Sequence, residues 1–132
     1  MSHKCAFGAI VCIDFRFRSK TSSFLENHFG TDKFDLFSWP GAAKKLADSA
    51  TQATAIADVS VCIDKHNAER IVVISHTDCG AYDIDFESKT DEVRRLSQDL
   101  HTARNVLTEQ FPSLSVELYL YDKDTNEFTT VN

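Results

Sequence analysis

A chain of 132 residues suits one core rather than two, and 42% hydrophobic with 26% charged residues is the balance of a soluble globular protein, which excludes a disordered or fibrous one. Twenty acidic against 14 basic residues give a formal net charge of −6, and no Lys or Arg cluster is large enough to grip a phosphate backbone, so nucleic acid is not an expected partner. No apolar run has the length of a membrane span and the N-terminus lacks a signal-peptide core, which predicts a cytoplasmic protein acting on a small molecule, without a membrane partner.

Met1 to Lys4 reads as a short polar lead, and the first strand is predicted from about Ala6 to Cys12. Four cysteines at positions 5, 12, 62 and 79, with no C-x-x-C pair, do not form a disulfide framework, so reduced thiols are expected. Cys5 stands a strand's length from Cys12 and is read as a structural thiol. The following Phe15-Arg16-Phe17-Arg18-Ser19-Lys20 carries three cations, too few for a nucleic-acid strip. Thr21 or Ser22 can cap a helix through about Phe29, ended by Gly30. A second strand, Phe34 to Trp39, closes on the turn pair Pro40-Gly41, and the loop there should reach the sheet edge that carries Cys12.

From about Ala42 to Asn67 the alanine-rich composition predicts helix in two pieces, parted near Asp48 and Ser49. Ile56, Val59, Cys62 and Ile63 can line its sheet-facing side, and that spacing accounts for Cys62 as core. The third strand, Arg70 to Ser75, is a β-branched run without polar alternation, the pattern of a strand covered on both faces. It runs straight into His76-Thr77-Asp78-Cys79-Gly80. An acidic loop from Tyr82 to Thr90 leads to a long amphipathic helix with Val93, Leu96, Leu100, Ala103, Leu107 and Phe111 on one face, stopped by Pro112. A fourth strand, Leu114 to Tyr121, turns at Asp122 to Asn126 into a short fifth at Phe128 to Val131. Strands alternating with helices predict right-handed crossovers in a three-layer α/β domain spanning residues 1–132, with an antiparallel hairpin at its edge.

Ligands in open α/β sheets bind beyond the carboxyl ends of the strands. If the first and third strands are neighbours, Cys12, His76 and Cys79 converge there. Two thiolates and one imidazole suit tetrahedral zinc, and three protein ligands leave a fourth position open, as in catalytic sites. A phosphatase loop, suggested by the C-x5-R spacing of Cys12 and Arg18, is the weaker alternative: no glycine lies between them, Asp14 would repel the anion, and His76 and Cys79 would go unexplained.

Cys12-x-Asp14-x-Arg16 followed by His76-x-x-Cys79-Gly80 resembles the paired motif of the β-class carbonic anhydrases, and Tyr121-Asp122-x-x-Thr125 resembles that family's last hairpin. The resemblance implies a mostly parallel sheet of order 2-1-3-4, with zinc held by Cys12, His76 and Cys79. It also implies that Asp14 accepts a hydrogen bond from zinc-bound water while Arg16 restrains Asp14. The implied reaction is hydration of carbon dioxide to bicarbonate by a zinc-bound hydroxide, in a homodimer. The alternative within the same fold is a non-catalytic or differently specific zinc protein in which Asp14 closes the metal site. Ser38-Trp39-Pro40-Gly41 stands where the family usually has Arg-Asn-Ala-Gly, and Phe15 replaces a small polar residue.

Overall fold

The structure, a computed structural model, describes residues 3–132; of the expected polar lead, Met1 and Ser2 lie outside the described residues. Five strands, β1 (Phe7–Cys12), β2 (Phe34–Trp39), β3 (Arg70–His76), β4 (Ser115–Asp122) and β5 (Glu127–Val131), form one sheet in the order β2-β1-β3-β4-β5. The first four are parallel, and β5 pairs antiparallel with β4 through a hairpin in which Asn126 takes a left-handed φ of 59°. This is the α/β architecture expected from the alternation of strands and helices, with the 2-1-3-4 order that the family resemblance implies and the expected hairpin at the edge.

Because side chains alternate along a strand, the central strands supply both faces. Ile10, Ile71, Val73 and Leu118 point to one side, where α2 (Lys44–Ala47), α3 (Gln52–Lys65) and α4 (Lys89–Gln110) cover them with Leu46, Ala55, Val59, Leu100, Ala103 and Leu107. Phe7, Ala9, Val11, Val72 and Ile74 point to the other, where α1 (Arg18–Phe29) contributes Leu25 and Phe24. Every residue of β3 after Arg70 is buried, as its unbroken apolar run predicts. Each fully buried Leu or Ile stabilises the fold by roughly 1.5–3 kcal/mol relative to exposure. Gly8 allows α3 to approach β1, since a Cβ there would lie 2.7 Å from Ile71 Cδ1 and 2.8 Å from Cys62 Sγ.

The helix boundaries differ from expectation at one end. α1 begins at Arg18 rather than after Thr21, because the Thr21 hydroxyl donates 2.8 Å back to the Phe17 carbonyl from within the first turn instead of capping it. α4 has a conventional start, with the Ser88 hydroxyl accepting from Asp91 N at 3.1 Å. Among the described residues no helix is long and apolar enough to cross a membrane.

Candidate metal centre

Parallel pairing of β1 and β3 brings their carboxyl ends together, so Cys12, the last residue of β1, faces His76, the last of β3. The chain then doubles back through Asp78, which takes a left-handed φ of 58°, and returns Cys79 to the same point. The Sγ atoms of Cys12 and Cys79 are 3.8 Å apart. One donor atom from each of Cys12, His76 and Cys79 lies within 4.8 Å of the others. A tetrahedral ion with zinc–sulfur bonds of about 2.3 Å separates its sulfurs by about 3.8 Å, so the pair already has the needed spacing.

His76 is oriented toward the same point. The residue is 4% exposed, and Nδ1 lies 2.6 Å from the Thr77 carbonyl, to which it donates; in the neutral ring this leaves the Nε2 lone pair on the side of the two sulfurs. Nε2 has no hydrogen-bond partner among the described residues. A buried orphan of this kind is costly unless something binds it, and a metal ion is the species that two thiols and an imidazole fit. The Phe17 ring, 4.8 Å from that of His76, holds the imidazole in place from the side of α1.

The thiols are tuned in opposite directions. A hydrogen bond from Cys79 is the largest influence on Cys12, and with help from His76 and the Gly41 amide it overcomes burial and lowers the Cys12 thiol to about 4. Cys79, which keeps the shared proton, is pushed up by that contact and by burial. Burial disfavours the protonated imidazole of His76, but the contacts with Cys12 and the Thr77 carbonyl outweigh it and the net shift is upward. Through the Gly41 amide the Pro40-Gly41 loop reaches Cys12, as expected from the turn pair that ends β2.

Asp14 and Arg16 sit beside this cluster. The Arg16 guanidinium donates to both carboxylate oxygens, from Nη2 to Oδ2 at 2.7 Å and from Nε to Oδ1 at 3.1 Å, and the Arg16 amide donates to Oδ1 at 3.0 Å. These bonds hold the Asp14 carboxyl down at about 2, below the usual carboxylate range. Oδ2 lies 3.8 Å from His76 Nε2, beyond hydrogen-bond reach. Asp14 therefore borders the donor cluster while remaining tied to Arg16.

The other edge of Arg16 reaches the loop between the donors: it donates to the Asp78 carboxylate and to the Asp78 carbonyl, both at 2.9 Å. Lys123, beyond β4, donates to the same carboxylate at 3.0 Å, and its amide donates to the Thr77 hydroxyl at 2.9 Å. Asp78 and Lys123 are not among the site residues expected from the sequence. The signal for Asp78 is a second carboxylate between His76 and Cys79, able to match the spare donors of Arg16.

A cavity of about 450 Å³ opens next to Cys12 and Cys79, walled by the apolar Ile13, Phe15, Pro40 and Ala81. Arg18 is the exposed first residue of α1, and the Cys12-to-Arg18 segment is shaped by the Asp14–Arg16 pair rather than as a phosphate cradle. Cys5 and Cys62, expected to be separate structural thiols, prove to be 4.0 Å apart at the amino end of the sheet.

A family model described as "Putative carbonic anhydrase" matches residues 2–131. Two uncharacterized rickettsial proteins are similar over 123 residues, 87% of this chain: one from Rickettsia bellii is 30% identical with 75% of its length covered, and one from Rickettsia conorii is 32% identical with 66% covered. Among solved structures, a carbonic anhydrase from Streptococcus mutans matches 99% of this chain and 84% of its own at a TM-score of 0.69 and 16% identity. A tetrameric β-carbonic anhydrase from Sordaria macrospora matches 98% and 82% at 0.67 and 16%. A carbon disulfide hydrolase matches 98% and 81% at 0.64 and 15%. At such identities these structures establish the fold alone, whereas the family match spans nearly the whole chain: the protein belongs to this carbonic anhydrase family, as a divergent member with the β-carbonic anhydrase fold.

Proposed function

We propose that the chain catalyses the reversible hydration of carbon dioxide to bicarbonate at a zinc ion held by Cys12, His76 and Cys79. The observation that carries this reading is the state of Asp14. Both of its oxygens are engaged by Arg16, so the carboxylate is not free to become a fourth ligand. A metal held by the other three keeps one position for chemistry. Zinc in such a site supplies a Lewis acid that makes water a usable nucleophile near neutral pH.

The rest of the work belongs to the chain. His76 presents a lone pair at Nε2 because its proton stays on Nδ1, which donates to the Thr77 carbonyl. Asp14, ionised throughout the neutral range, accepts a hydrogen bond from the reacting water and so orients it; its low pKa makes it an acceptor rather than a proton carrier. Arg16 positions Asp14 and, through Asp78, ties it to the loop that carries Cys79. The apolar walls formed by Ile13, Phe15, Pro40 and Ala81 suit a small neutral substrate. An adjoining cavity is bordered by Asp83, Asp85 and Glu92 and by the Arg16–Asp78 ion pair, so polar groups of both signs meet solvent beside the donor cluster. Oxygen-18 exchange between carbon dioxide and water tests the proposal. The zinc-loaded chain should accelerate exchange and the chelated chain should not, while exchange at the uncatalysed rate with zinc bound would overturn it.

The same reading includes a homodimer in the cytoplasm. Phe15 is 87% exposed and Ile13 55% exposed at the rim of the apolar cavity, a patch that a second copy would remove from water. Light scattering at micromolar concentration should give twice the chain mass, and Phe15→Ser should shift the equilibrium toward monomer. A wild-type chain that scatters only as monomer contradicts the assembly.

A further inference from the structure

At the amino end of the sheet, remote from the strand ends that carry Cys12 and His76, a second set of metal-binding side chains meets. Cys5 leads into β1, Asp35 is the second residue of β2, Cys62 lies in the last turn of α3, and His66 follows that helix. The Sγ atoms of Cys5 and Cys62 are 4.0 Å apart. One donor atom from each of Cys5, Asp35 and Cys62 lies within 4.8 Å of the others, as in the first cluster. His66 Nδ1 is 2.6 Å from Asp35 Oδ2. The backbone fixes the arrangement, since the Cys5 amide donates 3.0 Å to the His66 carbonyl and Gly8 lets Cys62 lie against β1.

We infer that Cys5, Asp35 and Cys62 form a second site, for a thiophilic divalent cation of the zinc class, with His66 positioning the Asp35 carboxylate. The sulfur separation is close to the edge of about 3.8 Å expected around tetrahedral zinc, and far from the bond of about 2.05 Å that a disulfide needs. Two sulfurs with one carboxylate favour zinc over magnesium or calcium, which prefer all-oxygen shells. Cys62 is 1% exposed, whereas Cys5, Asp35 and His66 border a cavity of about 410 Å³ through which the ion enters. On binding, each thiol gives a proton to solvent and becomes a thiolate ligand. The ion joins the segment before β1, the edge strand β2 and the end of α3, which gives the site a structural role separate from the reaction proposed above.

The test uses the full chain kept reduced. Zinc per chain is measured after dialysis, and cobalt(II) chloride reports thiolate ligation through its sulfur-to-metal charge-transfer absorption. Wild type should hold two zinc ions, Cys12→Ala one, and Cys12→Ala combined with Cys5→Ala none. In the Cys12→Ala chain, zinc should raise the melting temperature and cobalt should give the thiolate band. Since Cys62→Ala could disturb packing, the partly exposed Asp35→Asn serves as the second variant: it should weaken zinc binding at least tenfold with an unchanged melting temperature in chelator. A Cys12→Ala chain with no zinc and no cobalt–thiolate band overturns the second site, as does equal zinc retention with and without Cys5. Failure of the first centre reads differently, because wild type would then hold one zinc ion that Cys5→Ala removes and Cys12→Ala does not.

Discussion

Replacing Cys12, His76 or Cys79 with alanine, in a chain whose Cys5 is already alanine so that only the strand-end centre counts, is expected to remove zinc and carbon dioxide hydration together. Each residue supplies one of three donors drawn from two strand ends and one loop, and two donors do not hold a catalytic ion against dialysis. The loss should be from one zinc ion per chain to none, with hydration falling to the uncatalysed rate. His76→Ala also removes the buried orphan nitrogen, so the folded chain should tolerate it, and circular dichroism should remain that of an α/β protein. Cys62→Ala should leave this centre loaded. A His76→Ala chain that keeps both zinc and activity would remove His76 from the site.

The Asp14–Arg16 pair should fail in a different way. Asp14→Asn removes the ionised acceptor that orients the reacting water, and the rate should fall by on the order of 10²-fold while zinc stays bound. Arg16→Ala removes the largest influence holding the Asp14 carboxyl low and cuts both tethers between Asp14 and the Asp78 loop. The freed carboxylate lies 3.8 Å from His76 Nε2, close enough to swing toward the metal position. Arg16→Ala should therefore be inactive with zinc retained, and adding Asp14→Ala should restore part of the rate by removing the competing ligand. Asp78→Asn controls for loosening of the loop: it leaves the Arg16 bonds to Asp14 in place and should cost less than either. If Asp14 instead closes the site in the wild type, Asp14→Asn weakens zinc retention. Unchanged hydration in both single variants would remove the pair from the reaction.

Much of this arrangement is legible in the sequence because local pattern and topology agree. The Ile71–Ile74 run has the β-branched, unalternating pattern of a strand covered on both sides, and its abrupt end at His76 places the donors where an α/β sheet presents ligands. The partnership of Asp14 and Arg16 comes from the family resemblance of the Cys12-x-Asp14-x-Arg16 motif, and the bidentate pair in the structure matches it. Lys123 and Asp78 are separated by 45 positions and meet only because β4 lies beside β3, so pairwise spacing carries no trace of them. Cys5 and Cys62 are each well explained by their neighbours in the chain, one as a lead residue and one as helix core. Their meeting depends on α3 ending above the start of β1, a placement set by Gly8 and by the Cys5-to-His66 backbone bond rather than by either cysteine's surroundings in sequence. The start of α1 is hidden for a smaller reason, because a threonine that caps a helix and one that bonds back within its first turn look alike in sequence.

The most direct measurement is a zinc titration of the metal-stripped Cys5→Ala chain, with hydration of carbon dioxide followed by stopped flow in the same samples. The rate should climb in proportion to added zinc, reach a plateau at one equivalent, and vanish again with chelator. A chain that binds its equivalent of zinc while hydration stays at the uncatalysed rate would contradict the catalytic reading of Cys12, His76 and Cys79.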